Sequence, residues 1–297
     1  MKFLTLLLSG LVFSSLTYSQ NSFLIYTVKG NVSVIENNVT TKAKIGRLLP
    51  ESAQVVIAPG AVVSLICNQA NLINLDKGKV SLSTLSEQCK TTEGSATNNY
   101  LKYVWSQLTA HPGSPEKNRK QFMTNVGAVS RGVNNVWIDP RLDTVKYVSG
   151  SFPLSWKSYA EADEFEFTVF TTPGNSKPVT TVTTKNRFVD AKTIASKMQP
   201  TSTIYWTASV KGEQNSEIKV FEYVPADVYK TLLASFEQAG PELETEAAKA
   251  FRVAFMLEQA HYLADAHSYY KKATTLEPTS PIYKSTLDSF KKDYAIK

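Results

Sequence analysis

Cysteine, histidine and long apolar runs are all scarce in this chain. Its 297 residues include two cysteines and three histidines. His111, His261 and His267 are scattered, and none lies near either cysteine. That leaves no ligand spacing for a metal site, and no metal is expected. No Gly-x-Ser-x-Gly, His-Glu-x-x-His or phosphate loop is present. Nucleophilic catalysis has little to work with, and no cofactor is implied. Beyond residue 20 no run is apolar enough to span a bilayer, so no transmembrane segment is expected. Charge of one sign is weak as well. The net charge of +6 is spread thinly over the first half. The densest basic run is Lys117-Asn118-Arg119-Lys120, in a Pro/Gly-containing loop. Nucleic-acid binding needs a denser basic face with stacking aromatics, and it is not expected here.

Residues 1–20 read as a targeting segment. Lys2 supplies the positive start, Phe3 to Leu16 forms an interrupted apolar stretch, and Thr17 and Ser19 are the small residues before a cut ahead of Gln20. No cysteine near that cut offers a lipid anchor. The mature chain is therefore expected to be exported, either periplasmic or at the cell surface. In such a compartment Cys67 and Cys89 pair as a disulfide.

Length suggests two or three domains, and the periodicities divide the chain. Residues 21–90 hold short strands at roughly ten-residue spacing, punctuated by Lys29-Gly30, Pro59-Gly60 and Asp76-Lys77-Gly78, as in a small β-sandwich or roll. Residues 91–143 hold a helix with an apolar face at Leu101, Val104, Trp105 and Leu108, then a basic connector in which 112–135 reads as loop. Trp105 is expected to pack on the β domain, and His111 to end the helix. Residues 144–224 show seven short alternating strands of an aligned two-sheet sandwich. The clearest run from Phe152 through Leu154 to Trp156, and the second contains Tyr205 and Trp206. Residues 225–297 read as helices at 226–239, 242–259, 265–275 and 281–294. The expected class is mainly β with an α C-terminus.

Three resemblances carry these blocks further. The pattern Val28-x-Gly30-x-Val32-x-Val34, with Gly46-x-x-Leu49, Val62-x-x-x-Ile66 and Leu75-x-x-Gly78, resembles the periplasmic FecR-like domain. It implies a non-catalytic extracytoplasmic β module that contacts other envelope proteins or polymers. The family's signalling arm is not carried over. Trp156, the Phe165-x-Phe167 strand, and Met198-Gln199-Pro200 ahead of Tyr205-x-Thr207 resemble a fibronectin type III domain. Ala266, Tyr270, Ala273 and Pro278, at offsets 0, 4, 7 and 12, resemble the second half of a tetratricopeptide repeat. Ala250, Val253, Ala254 and Leu257 stand in its first half.

Two functions from different classes follow. The first is a non-catalytic cell-envelope binding or assembly protein that presents tandem β modules and a helical tail to a protein or glycan partner. Candidate partner-binding residues are Lys249, Arg252 and Phe255, on an exposed face of the helix at 242–259. The alternative is a carboxylate-based glycan hydrolase using Glu161, Asp163, Glu164 or Glu166. For those four the simpler reading is a solvated strand face, with a weak Ca²⁺ site at 161–164 as a minor variant. A β-rich adhesin is a third reading, which the helical end fits poorly.

Overall fold

A computed structural model describes residues 21–89, 96–109, 135–173, 177–199, 202–240 and 244–297. The targeting segment, His111, the basic run at 117–120 and nearly all of the 112–135 loop lie outside the described residues, as do Gly174, Asn175, Pro200 and Glu242.

The N-terminal block contains β1 (Ser22–Lys29), β2 (Val32–Glu36), β3 (Val39–Lys42), β4 (Leu48–Pro50), β5 (Gln54–Ile57), β6 (Val62–Cys67), β7 (Asn71–Leu75) and β8 (Gly78–Ser81). They form two four-stranded antiparallel sheets, ordered β4-β1-β6-β7 and β3-β2-β5-β8. Their facing side chains, among them Phe23, Ile25, Val34, Val55, Val63 and Leu65, make one closed core. Sequence reading places no strand at 39–42. Asn37 and Asn38, both at positive φ, form the tight turn that folds β3 back on β2.

β1 is buried on both faces. Phe23 and Ile25 point between the sheets, while Leu24 and Tyr26 belong to a second core. The continuous apolar run Phe23-Leu24-Ile25-Tyr26 is the sequence form of that double burial. A bulge skips Tyr26 in the register against β6. Such an extra residue is left out of the ladder and its side chain can be re-aimed. Tyr26 meets helix α1 (Ala96–Thr109), where its hydroxyl lies 2.6 Å from that of Tyr100.

The disulfide is present. Cys67 at the end of β6 bonds Cys89 at the end of a 3-10 segment, Leu82–Cys89, with Cα atoms 5.5 Å apart.

The central block holds β9 (Val136–Trp137), β10 (Thr144–Tyr147), β11 (Pro153–Ser155), β12 (Lys157–Ser158), β13 (Phe165–Phe170), β14 (Thr180–Thr184), β15 (Phe188–Asp190), a short helix α2 (Ala191–Ala195), β16 (Thr203–Val210) and β17 (Lys219–Tyr223). A five-stranded sheet runs β10-β17-β16-β13-β14, with β10 parallel to β17 and the rest antiparallel. The facing layer is not one sheet but two ribbons, β11-β15 and β12-β9. The run expected as one strand at 152–156 therefore changes partners at Trp156. Trp156 is buried in the middle, edge-on to Phe165 at 5.9 Å and stacked on Phe167 at 6.2 Å. Phe167 in turn stacks on Trp206 at 5.0 Å.

The C-terminal block is helical: α3 (Ala226–Gln238), α4 (Glu246–Gln259), α5 (Leu263–Leu276) and α6 (Pro281–Asp293). The chain is thus mainly β followed by α. α4 starts at 246 rather than 242, because the Thr245 hydroxyl caps it by accepting from Ala248 N at 3.1 Å. These helices do not form a separate tail. Tyr294 packs on Phe152 at 5.7 Å, and its carbonyl accepts from Ser155 Oγ at 3.4 Å. Arg141, ahead of β10, pairs with Asp293 at 2.7 Å. The backbone of β10 bonds the α4–α5 turn, Lys146 N donating to His261 O at 2.9 Å. One apolar core runs from β1 through α1 and the central sheet into α4, α5 and α6. Among the described residues no helix is long and apolar enough to cross a membrane.

Candidate partner-binding surface

The helix expected to present Lys249, Arg252 and Phe255 is α4, and the structure corrects two of the three. α4 is the central helix of its block, and α1 lies against it. Phe255 is 0% exposed. It stacks on Tyr103 at 5.1 Å and meets Tyr100 edge-on at 5.7 Å. Sequence periodicity singled out Leu101, Val104, Trp105 and Leu108 on α1. The structure also buries Tyr100 and Tyr103, because α1 is wedged between the β1 sheet and α4. The Tyr103 hydroxyl lies 2.7 Å from that of Thr286 on α6. What covers Phe255 is therefore a helix more than 140 residues upstream.

Arg252 is 1% exposed. Its Nε and Nη2 donate to Glu244 at 3.1 and 2.8 Å, and its Nη1 donates to the Phe236 carbonyl at 2.5 Å. It satisfies the orphan carbonyls ending α3 while pairing with a carboxylate just ahead of α4. A Cβ at Gly240 would overlap both the guanidinium and the Glu244 carboxylate, so a side chain there would force this pair to shift. Burial pushes the Glu244 carboxyl above its ordinary value, by more than the hydrogen bonds and charge of Arg252 pull it down. Arg252 is a tie between helices. Lys249 alone of the three is partly exposed.

The other buried charges are ties as well. Lys219 on β17 pairs with Asp143 and Glu217, each at 2.8 Å. Glu258 on α4 accepts from the hydroxyls of Tyr270 at 3.0 Å and Tyr294 at 3.2 Å. Asp139 is bound by Arg141 Nε at 2.8 Å. Burial alone would raise the Asp139 carboxyl, but Arg141 outweighs it and holds it below its ordinary value.

In the acid cluster at 161–166, Glu164 accepts from Lys211 Nζ at 2.6 Å. That hydrogen bond and the lysine charge lower its carboxyl, the direction opposite to a general acid's. Among the described residues no three His, Cys, Asp or Glu side chains gather where a metal ion could be held. His267 stacks parallel on Phe290 at 5.9 Å, with Nε2 buried. Burial lowers its imidazole below 6.5, and the charges of Lys271 and Lys291 add to that.

Three large apolar side chains of the N-terminal block are exposed instead. Val39, Ile45 and Leu48 are 60%, 54% and 49% exposed. Val39 stands across from Glu36 in the β2–β3 pair. Glu36 pairs with Arg47 at 2.7 Å, and Arg47 also donates to Thr41 at 2.5 Å. Ile45 and Leu48 bracket Arg47 in the chain, and Leu48 stands opposite Leu24 of β1. The backbone beneath is fixed: Gly46 N donates to Ile25 O at 2.8 Å and Ile25 N to Arg47 O at 3.0 Å. Periodicity did not set these residues apart, since Ile45 and Leu48 read as ordinary strand residues. The available signal was an apolar pair flanking an arginine in a short loop.

No family model matches the chain, and no curated protein matches it.

Proposed function

We propose that this is a non-catalytic exported protein of the cell envelope, built to bind or assemble with a protein partner. The observation that carries the proposal is the exposure of Ile45 and Leu48 on a loop hydrogen-bonded to β1, with Val39 also exposed in the same disulfide-stapled β block. A contiguous exposed apolar patch marks a contact site, and the variants below test whether these residues act as one. In this reading residues 21–90 are a FecR-like module, whose resemblance already implies envelope contacts. The strand order β10-β17-β16-β13-β14 facing β11-β15 supports a fibronectin type III-like central block. The buried Ala254, Ala266, Tyr270 and Ala273 support a tetratricopeptide-like helix pair that stiffens the molecule. The buried charges favour binding over hydrolysis, because Asp139, Lys219, Arg252 and Glu258 already hold structural elements together. A crosslinking pull-down from the native envelope tests this. Ile45→Asp/Leu48→Asp should lose a partner that the parent and Lys249→Asp both capture, with an unchanged melting temperature. Capture by the Ile45/Leu48 variant equal to the parent's would refute it.

A further inference from the structure

Sheet edges are templates for pairing, and proteins blunt them with charge, proline, short length or cover. Most edges of the three larger sheets here are blunted. β4 is three residues long and ends in Pro50. β3 carries Lys42 and β8 carries Lys79. β7 lies beside α1, where its Leu72 packs on the main core. β10 is bonded by the α4–α5 turn at His261. β14 differs. It is the outer strand of the five-stranded sheet, and its sequence Thr180-Thr181-Val182-Thr183-Thr184 has no charge and no proline. Every residue in it is β-branched, which favours extended backbone. Thr181 and Thr183 face solvent, and Thr180, Val182 and Thr184 are half-buried. Val179, just before the strand, and Phe188, four residues past it, are exposed.

The strand is also a palindrome about Val182. A two-fold axis through Val182 places an antiparallel second copy in register with itself. Val182 meets Val182 of the second copy, Thr181 meets Thr183 of the second copy, and Thr180 meets Thr184 of the second copy. A two-fold axis makes every such contact reciprocal, residue i meeting j and j meeting i, and in this strand it sets Val on Val and Thr on Thr with no charge opposed. The half-buried Val182 and Thr180–Thr184 pairs extend the core face of the sheet, and the Thr181–Thr183 pairs lie on the solvent face. Cross-strand Val and Thr pairs of this kind favour pairing.

We infer that β14 is a homodimerisation edge, joining two copies into one continuous ten-stranded sheet. β14 belongs to the central block and Val39, Ile45 and Leu48 to the N-terminal one, so the inference does not rest on the proposed function. Sedimentation equilibrium of the full chain over a wide concentration range should show a reversible monomer–dimer equilibrium. In Thr181→Lys/Thr183→Lys each introduced lysine meets a like charge directly opposite. The dimer should weaken by about tenfold or more, with the monomer's melting temperature unchanged. In Thr181→Glu/Thr183→Lys the same register sets each introduced glutamate against an introduced lysine, and the dimer should return. A parent that stays monomeric throughout, or a double-lysine variant that dimerises as the parent does, overturns the inference. Failure of the glutamate–lysine variant to recover the dimer also overturns it. Capture of another protein's extended strand by a monomeric parent would assign the edge to a different occupant.

Discussion

Phe255→Ala separates a structural α4 from a partner-binding one. The side chain is fully buried, so the substitution removes its contacts with Tyr100 and Tyr103 and leaves a cavity between α1 and α4. Losses for buried Phe→Ala run to about 3–5 kcal/mol. At about 2–4 °C per kcal/mol in a chain of this size, the melting temperature should drop by roughly 6 to 20 °C. A solvent-facing binding residue would instead change stability by no more than about 0.5 kcal/mol. Urea denaturation followed by far-UV circular dichroism reads the difference. The Tyr103 stack can be isolated by a double-mutant cycle with Tyr103→Leu, where a coupling of about 0.5–1.5 kcal/mol is expected. A loss below about 1 kcal/mol for Phe255→Ala, with no coupling to Tyr103, would mean that α1 does not sit on α4 and that the shared core is wrong.

Arg252→Met should destabilise by about 3–5 kcal/mol, because Glu244 is left buried and unpaired, while Arg252→Met/Glu244→Gln should recover much of that; equal losses in the two variants would contradict the tie. Trp156→Ala should cost about 3–5 kcal/mol in the same denaturation assay, and a loss under about 1 kcal/mol would contradict its place between the two layers. Reducing Cys67–Cys89 should cost about 3 kcal/mol, read as the shift of the urea midpoint with reductant present, and an unmoved midpoint would contradict it. Below pH 6.5 the unfolded chain takes up the His267 proton before the folded chain does, so stability should fall as pH drops from 6.5 through the lowered folded value. His267→Gln should flatten that part of the thermal-melt pH profile, and an unchanged slope would mean the imidazole is solvated.

How far the fold was legible follows from the range of the contacts. The strand at 165–170 alternates cleanly because it buries one face against the opposite layer, a local pattern of period two, whereas 203–210 is buried on both faces at 206–209. The cysteine pair was legible because the sequence has two cysteines, each leaving the other one partner. The burial of Arg252 and Phe255 was not legible. A helical period shows which residues share a face, and it does not show what lies against that face. The groups covering α4 come from α1 and α3, and the bonds that seat α1 join residues 74 and 183 positions apart. Tyr100 and Tyr103 were missed for the same reason: α1 is packed on two sides, so its second buried face looks polar in a one-face reading. The split at Trp156 was hidden because both halves continue one alternation while pairing with different strands. Asn37-Asn38 did carry the β3 turn, in residues that tolerate positive φ.

The central claim is that the partner meets the end of the N-terminal β block and that the helical block is internal support. Photo-crosslinking in the native envelope tests it most directly, with a photoreactive amino acid placed at position 45 in one variant and at position 249 in another. Both positions accept a bulky group, Ile45 being exposed and Lys249 partly so. A discrete adduct from position 45, absent from position 249, is the result this account predicts. A discrete adduct from position 249 with none from position 45 would contradict it and return the binding surface to α4.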